Sequence, residues 1–306
     1  MKAVQIAEFG PPESMRAVNI ATPLPGPSQV LVRVHAAGVG PWDAWVRSGN
    51  SAVAQSLPLT PGSDIAGVVE VLGSAVSSFK VGDEVFGVTN PNFVGGYAEY
   101  ALASANMIAT KPPSLDFVTA ASVPVVAVTA LQMIFEYAQL GPSQSVLILG
   151  GAGNVGAYAV QLAKYANGKV AATCDVQDMD FVKSLGADTV IARSQPLSEF
   201  VNNVDAIIDT VGGEARERAA AVLKRGGVLV SSVSPVPETL SKGHGIEAVF
   251  FLVQVTTQRL EKISRMLQRG ELKTNVGTVL PLDQAVTAHQ MLAGAPHARG
   301  KIVLKV

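Results

Sequence analysis

Two textures divide the chain. Up to about residue 112, short runs with strand-like alternation follow one another: Val30-Leu31-Val32-Arg33-Val34, then 65–72, then 83–87. Pro23, Pro25, Pro27, Pro58, Pro61, Pro91, Pro112 and Pro113 separate them, as in a compact β-rich domain. One helix interrupts this region, with Pro41 suited to its first position and Gly49 placed to end it. From about residue 143 the rhythm changes to strand, helix, strand. Val146-Leu147-Ile148-Leu149 is a continuous apolar run, the pattern of a parallel strand buried on both faces. Over 155–165, Val155, Ala159, Leu162 and Ala163 recur at helical spacing. Further strands are expected at Lys169–Cys174, Thr189–Ala192, Val204–Asp209 and 228–232, with helices at 179–185 and 214–224. Such alternation argues for an α/β fold with a doubly wound parallel sheet. After about residue 272 the β-like texture returns, and the last strand, 301–306, is expected to fold back onto the N-terminal region. The division this gives is a β-rich domain over 1–115, completed by 273–306, and a nucleotide-binding type of domain over 116–272.

Composition narrows the function classes. Charged residues are 15% and hydrophobic ones 48% of the 306, with a mean hydropathy of +0.32. So apolar a chain is not disordered, and it implies a large core or a buried subunit face. Basic and acidic residues nearly balance at 23 against 24, with no basic stripe, so a nucleic-acid partner is not expected. The single Cys174 excludes a disulfide framework, an iron–sulfur cluster and a multi-cysteine zinc site, and suits a reducing cytoplasm. The N-terminal 1–6 alternates like a strand and lacks the apolar core of a signal peptide. Residues 117–135 are uncharged for nineteen positions, long enough to span a bilayer. Thr119, Ser122, Pro124, Thr129 and Gln132 interrupt them, which fits a buried helix with a loop and no membrane association. The run 248–253 is more apolar than one interior strand requires, and suggests a homodimer face.

The chemistry begins at Gly151-Ala152-Gly153-Asn154-Val155-Gly156, a G-x-G-x-x-G motif that follows an apolar strand and opens a helix. In that context the first glycine allows a tight turn, the second leaves room for a pyrophosphate, and the third lets helix and strand pack closely. The helix N-terminus then faces the phosphates with its N–H groups. An acidic residue about 20 positions on should hold the adenosine ribose. Asp175, 22 residues after Gly153, sits at the end of the next strand. Its other reading is a helix N-cap. A carboxylate there repels a 2′-phosphate and favours NADH, while Arg193, after the third strand, could contact that phosphate or simply be solvated.

The chain resembles the medium-chain dehydrogenase/reductase superfamily, in its zinc-independent quinone oxidoreductase branch. The resemblance rests on 36–43 (Ala-Ala-Gly-Val-Gly-Pro-Trp-Asp), 61–69, 79–86, Gly95-Gly96-Tyr97-Ala98-Glu99-Tyr100 and Ser184-Leu185-Gly186-Ala187-Asp188. It implies a GroES-like N-terminal domain, a Rossmann domain, and a nicotinamide in the cleft between them. It also places Thr129 near the carboxamide, and Val211, Gly212, Ser232, Val233, Phe251 and Leu252 along the cofactor. Gly300 and Lys301 match a cofactor or cleft position, though a lysine flanking a last strand is commonly solvated. Zinc-dependent relatives carry cysteine, histidine and glutamate where this chain has Gly40, Ser63 and Asp64, and His35, His244, His289 and His297 show no ligand spacing, so no metal is expected.

The branch usually has asparagine at position 40 and tyrosine at position 45; this chain has Gly40 and Trp45. An indole N–H can donate a hydrogen bond but is no acid. Trp42 and Trp45 would share one helix face, as substrate-pocket wall or as plain packing. Asp43 with Arg47 reads as a helix-start carboxylate and surface pair, or as a catalytic group. Tyr97 is the remaining candidate proton donor, with a core tyrosine as the other reading. The expected activity is hydride transfer from NAD(P)H to a quinone or conjugated enone. An alkenal or enoyl reductase with little quinone activity and a non-catalytic nucleotide sensor are the rivals.

Overall fold

The computed structural model describes residues 1–306 and falls into two compact units. The first begins with a two-stranded antiparallel ribbon, β1 (Lys2–Gln5) and β2 (Arg16–Asn19). Then come β3 (Gln29–Val39), α1 (Pro41–Ser48), β4 (Asp64–Leu72), β5 (Glu84–Val88), β6 (Tyr100–Ser104) and β7 (Ile108–Thr110). The long β3 organises this unit. β4 runs antiparallel along one edge, and β6 covers only Gln29–Arg33 of the other. Val30, Val32 and Val34 pack with Ile65, Val69, Val85 and Ala103 in one core. Ala37 and Val39 enter a second core with Val46 and Tyr97. Alternation along one strand thus serves two cores.

The uncharged stretch 117–135 becomes α2 (Phe117–Ala121), α3 (Pro124–Leu131) and the start of a π-helical segment, Gln132–Tyr137. No helix is long and apolar enough to cross a membrane. The second unit follows: β8 (Ser145–Leu149), α4 (Asn154–Tyr165), β9 (Lys169–Cys174), α5 (Met179–Ser184), β10 (Thr189–Ala192), β11 (Val204–Asp209), α6 (Gly213–Ala220), β12 (Leu223–Ser231), α7 (Glu238–His244) and β13 (Glu247–Phe250). All pairings are parallel and the strand order is β10-β9-β8-β11-β12-β13. This is the doubly wound Rossmann order, whose direction reverses between β8 and β11. Val146–Leu149 are at most 1% exposed, as a strand covered on both faces requires. Helix α6 ends four residues before expected, because Val222 and Leu223 turn into the core and start β12.

The chain then returns to the first unit through α8 (Thr257–Gln268), β14 (Val276–Pro281), α9 (Ala285–Leu292) and β15 (Lys301–Lys305). As expected, β15 folds back, pairing antiparallel with Ala36–Val39 of β3 beside β6. The tail after residue 272 is less purely β than its texture suggested, because α9 interrupts it; α8 lies before it. α8 lays Leu260, Ile263, Met266 and Leu267 inward, and Thr257 Oγ1 donates to the Ile108 carbonyl at 2.7 Å. The compact units are 1–125 with 255–270 and 274–306, and 126–254 with 271–273, so α8 groups with the first.

One ion pair ties β15 to β4. Lys301 Nζ lies 3.0 Å from Asp64 Oδ2, and both side chains are at most 2% exposed. Lys301 is therefore not the solvated strand-end lysine its flanking position suggested. Removing one partner of such a pair leaves the other charge uncompensated, which costs about 3–5 kcal/mol. We expect Lys301→Met to lower stability by that order in urea denaturation at neutral pH. An unchanged transition midpoint would show that the pair contributes nothing.

Candidate functional site

In the second unit the glycine loop forms where β8 ends. The tight turn falls on Gly150 (φ +77°), one residue before the motif, and not on Gly151 as the motif alone suggested. Gly150 N–H donates to Thr173 Oγ1 at 3.1 Å and Gly151 N–H to the Thr173 carbonyl at 2.8 Å, fixing the loop to β9. A Cβ on Gly156 would sit 2.0 Å from the Gly150 carbonyl oxygen, so only glycine lets α4 start this close to the strand. A Cβ on Gly153 would meet only that oxygen, at 3.3 Å, with open space otherwise. No side chain caps the α4 N-terminus. Its first-turn N–H groups, which no helical turn satisfies, face that space. Ala152, Asn154 and Val155 complete this cradle, which has the room and donors a pyrophosphate needs.

The other residues expected along a dinucleotide follow strand ends of the same sheet: Asp175 after β9, Arg193 after β10, Val211 and Gly212 after β11, Ser232 and Val233 after β12, Phe251 and Leu252 after β13. Open α/β sheets bind ligands at these carboxyl ends. Asp175 does not act as a helix cap; its carboxylate pairs with Arg193 Nε at 2.6 Å. Thr129 is buried in α3, Phe251 packs on Tyr137 with ring centres 4.4 Å apart, and Leu252 is 58% exposed. Sequence reasoning missed Asp209. Fully buried at the end of β11, it accepts from the N–H groups of Val211 (3.0 Å) and Gly212 (2.7 Å) and from Ser231 Oγ (2.8 Å). It thereby shapes two strand-end loops at once. Its one sequence signal was a carboxylate closing an apolar strand.

In the first unit, Gly40 precedes α1 and Asp43 sits in its first turn. Asp43 Oδ2 accepts from Gly40 N–H (2.8 Å) and from the Tyr97 hydroxyl (3.1 Å). Tyr97 Oη in turn lies 3.3 Å from His289 Nε2, on α9, completing a chain His289–Tyr97–Asp43. All three are at most 1% exposed. Two expectations change. Asp43 and Arg47 are no surface pair, since both are buried and no ion pair joins them. Tyr97 is the core tyrosine and not a cleft-facing acid, because its hydroxyl is committed to Asp43 and His289 inside the apolar cluster of Val39, Val46 and Ile302.

Beside this network lie Gly40, Ser63 and Asp64, the three positions that the resemblance compares with a metal-ligand set. Trp42 Nε1 donates to Ser63 Oγ at 3.0 Å, and the Trp42 ring covers Lys301 Nζ at 4.2 Å from its centre. That ammonium neutralises Asp64, whose other oxygen accepts from Val125 N–H at 3.1 Å. A Cβ at Gly40 would lie 2.3 Å from the indole. Glycine at 40 is therefore the condition for tryptophan at 42, and the donor set Gly40, Ser63, Asp64 does not fit a divalent cation. Lys301 turns its ammonium into this cluster, and Gly300 precedes it in a left-handed conformation (φ +119°). Trp42 is half-buried packing, whereas Trp45, 48% exposed, is the one available to a ligand.

Residues 26–113 match the family model of the alcohol dehydrogenase GroES-like domain, and 185–304 match that of a zinc-binding dehydrogenase. The quinone oxidoreductase of Sus scrofa is 34% identical, over 99% of this chain and 97% of that protein. The quinone oxidoreductase of Coxiella burnetii superposes with a TM-score of 0.93 at 35% identity, covering 100% of this chain and 99% of its own. A mycobacterial protein solved in complex with NADPH superposes with a TM-score of 0.89 at 26% identity, covering all of both chains.

Burial sets the protonation of the first-unit network. It pushes Asp43 up from 3.8 to about 7, against the pull of the Gly40 N–H, Lys301 and Tyr97. It pushes His289 down from 6.5 to about 3, with Arg47 adding to the effect. The two act oppositely on stability. The raised Asp43 favours the folded state at low pH, and this contribution is lost as pH rises from about 4 through 7. The lowered His289 contributes above about 6.5, and its contribution is lost as pH falls towards 3. Across about pH 4–6.5 the two slopes oppose each other. Asp43→Asn should therefore tilt the stability–pH profile upward with pH relative to the parent, and His289→Gln downward. Denaturation midpoints measured from pH 4 to 7 that shift in parallel in both variants would remove this account.

Proposed function

The chain belongs to the quinone oxidoreductase family of the medium-chain dehydrogenase/reductase superfamily, and from that premise we propose that it reduces quinones or conjugated enones with NAD(P)H and without a metal. The dihydronicotinamide supplies the hydride when bound. The chain's own residues supply the rest. The space over Gly153 and the α4 N-terminus hold the pyrophosphate. Asp209 fixes the loops of Val211, Gly212 and Val233 that run beside it. Thr129 is the polar side chain we assign to the carboxamide.

The observation that carries the metal-free reading is the Trp42–Lys301–Asp64 cluster, in which an ammonium already balances the one carboxylate. Without a Lewis acid, simple alcohols and ketones are poor partners, while conjugated acceptors spread the developing charge onto an oxygen that N–H groups or water can stabilise. With Tyr97 and Asp43 enclosed in the core, the proton that completes reduction comes from water in this proposal, and the Trp45 indole N–H orients the acceptor as a hydrogen-bond donor. A homodimer is proposed through the open edge of β13, where Phe250 and Leu252 are exposed; the single Cys174 suits the cytoplasm.

Three measurements check this reading. A panel of quinones and enones with NADH and NADPH, followed at 340 nm, should show oxidation with conjugated acceptors and none with simple ketones; cofactor binding without turnover of any acceptor would overturn the enzymatic proposal. Gly153→Val should fold normally and lose cofactor binding at least tenfold (about 1.4 kcal/mol), because its side chain fills the pyrophosphate's place; full affinity in the folded variant would exclude the loop. EDTA should leave the rate unchanged, whereas inactivation reversed by zinc would refute the metal-free mechanism.

A further inference from the structure

Asp209 is not held by neutral groups alone. Its Oδ1 accepts from the Val211 and Gly212 N–H groups, and its Oδ2 accepts from Ser231 Oγ and faces Arg216 Nη1 at 3.7 Å. Arg216 stands on α6 with its side chain only 6% exposed, an uncommon burial for a guanidinium. The same Nη1 donates to the Ser234 carbonyl at 3.0 Å and to Ser234 Oγ at 3.1 Å. One cation therefore reaches both the carboxylate that shapes the turn after β11 and the backbone of the turn after β12. These two turns lie against each other. A Cβ on Gly212 (φ +79°) would sit 3.1 Å from a Val233 methyl, and Val233 N–H donates to Ser231 Oγ at 3.2 Å. Arg216 Nε is buried without a hydrogen-bond partner, so the guanidinium is enclosed at a cost that an apolar side chain of similar size would avoid. Stability alone gives no reason for a charge here.

We propose that Arg216 is a positioning residue for hydride transfer: by tying together the turns after β11 and β12, it sets the place of the nicotinamide half of the bound dinucleotide. This rests on the dinucleotide reading above. In that reading Asp175, after β9, marks the adenosine side, and the α4 N-terminus takes the pyrophosphate where the strand order reverses. The second mononucleotide then runs along the ends of β11 and β12, on the two turns that Arg216 joins. Being enclosed, Arg216 acts through these turns and not on the reacting ring. An apolar residue in its place would leave Asp209 without a cation and Ser234 without a donor, and each turn would be free to shift. Hydride transfer is sensitive to such shifts, since a misplacement of about 1 Å costs on the order of a hundredfold in rate.

Arg216→Met tests this by two readouts on the folded protein: calorimetric affinity for adenosine 5′-monophosphate, and the single-turnover rate of 1,4-naphthoquinone reduction at saturating NADH or NADPH. The rate should fall about tenfold to a hundredfold, while affinity for the monophosphate changes less than about threefold. Arg216→Lys, which keeps a cation and donors, should recover most of the rate. Arg216→Gln, closer in shape and polarity, replaces the methionine variant if that one does not fold, and should show the same split. A folded neutral variant that keeps the parent rate overturns the proposal. So does one that weakens the monophosphate as much as it slows turnover, because Arg216 then only supports the unit as a whole; in both cases the dinucleotide site stands. If the parent protein binds neither the monophosphate nor either dinucleotide, or binds them and reduces no acceptor, the underlying reading falls and takes this one with it.

Discussion

Three carboxylates that this apolar chain buries need polar partners within a few ångströms, and both units are organised around how these are supplied. Asp64 is met by Lys301, Asp209 by two loop N–H groups, a serine and the buried Arg216 guanidinium 3.7 Å away, and Asp43, which burial pushes up to about 7, by a backbone N–H and a tyrosine hydroxyl. In each case the carboxylate fixes backbone that its own element does not reach. Asp64 joins the first sheet to its last strand. Asp209 shapes the loops at the carboxyl ends of two parallel strands. An unbalanced carboxylate at any of these places would take up a proton or open the structure to water.

The same rule decides what chemistry the first unit offers. There Trp42 donates to Ser63 and Lys301 pairs with Asp64, while Asp43 accepts from Gly40 N–H and the Tyr97 hydroxyl in the core. The second unit is the opposite case. At its strand ends the helix N-terminus of α4 is uncapped, so it is open to anions. A protein arranged this way contributes orientation and electrostatics, and leaves the redox chemistry to the dinucleotide it holds.

The glycine loop and the parallel sheet were legible because their signals are local: an apolar strand, three glycines at fixed spacing, then a helix. The cluster at Asp43 was not, because residues 43, 97 and 289 are distant in sequence and only the packing of α9 against α1 brings them together. Lys301 looked like a solvated lysine since the run Lys301-Ile302-Val303-Leu304-Lys305 shows only strand alternation, with nothing to indicate a partner on β4. Helix α8 did carry a readable signal in Leu260, Ile263, Met266 and Leu267; which unit it would pack on had no local sign. Gly40 looked like the loss of a polar group, and its reason, the indole of Trp42 lying against it, is a tertiary contact.

The discontinuity of the first unit has a consequence for how the chain comes together during synthesis. The second unit is nearly continuous, 126–254, and its strands pair through short-range crossovers. The first unit cannot finish until β15 emerges, after that whole unit has been made. Until then the edge of β3 over Ala36–Val39 lacks its partner strand, and Asp64 has no ammonium beside it. A nascent chain therefore carries an open sheet edge and an uncompensated carboxylate side by side. The charge acts as a temporary guard, because a hydrated carboxylate beside an unpaired edge discourages pairing with a wrong strand. When Lys301 arrives, the guard becomes the lock.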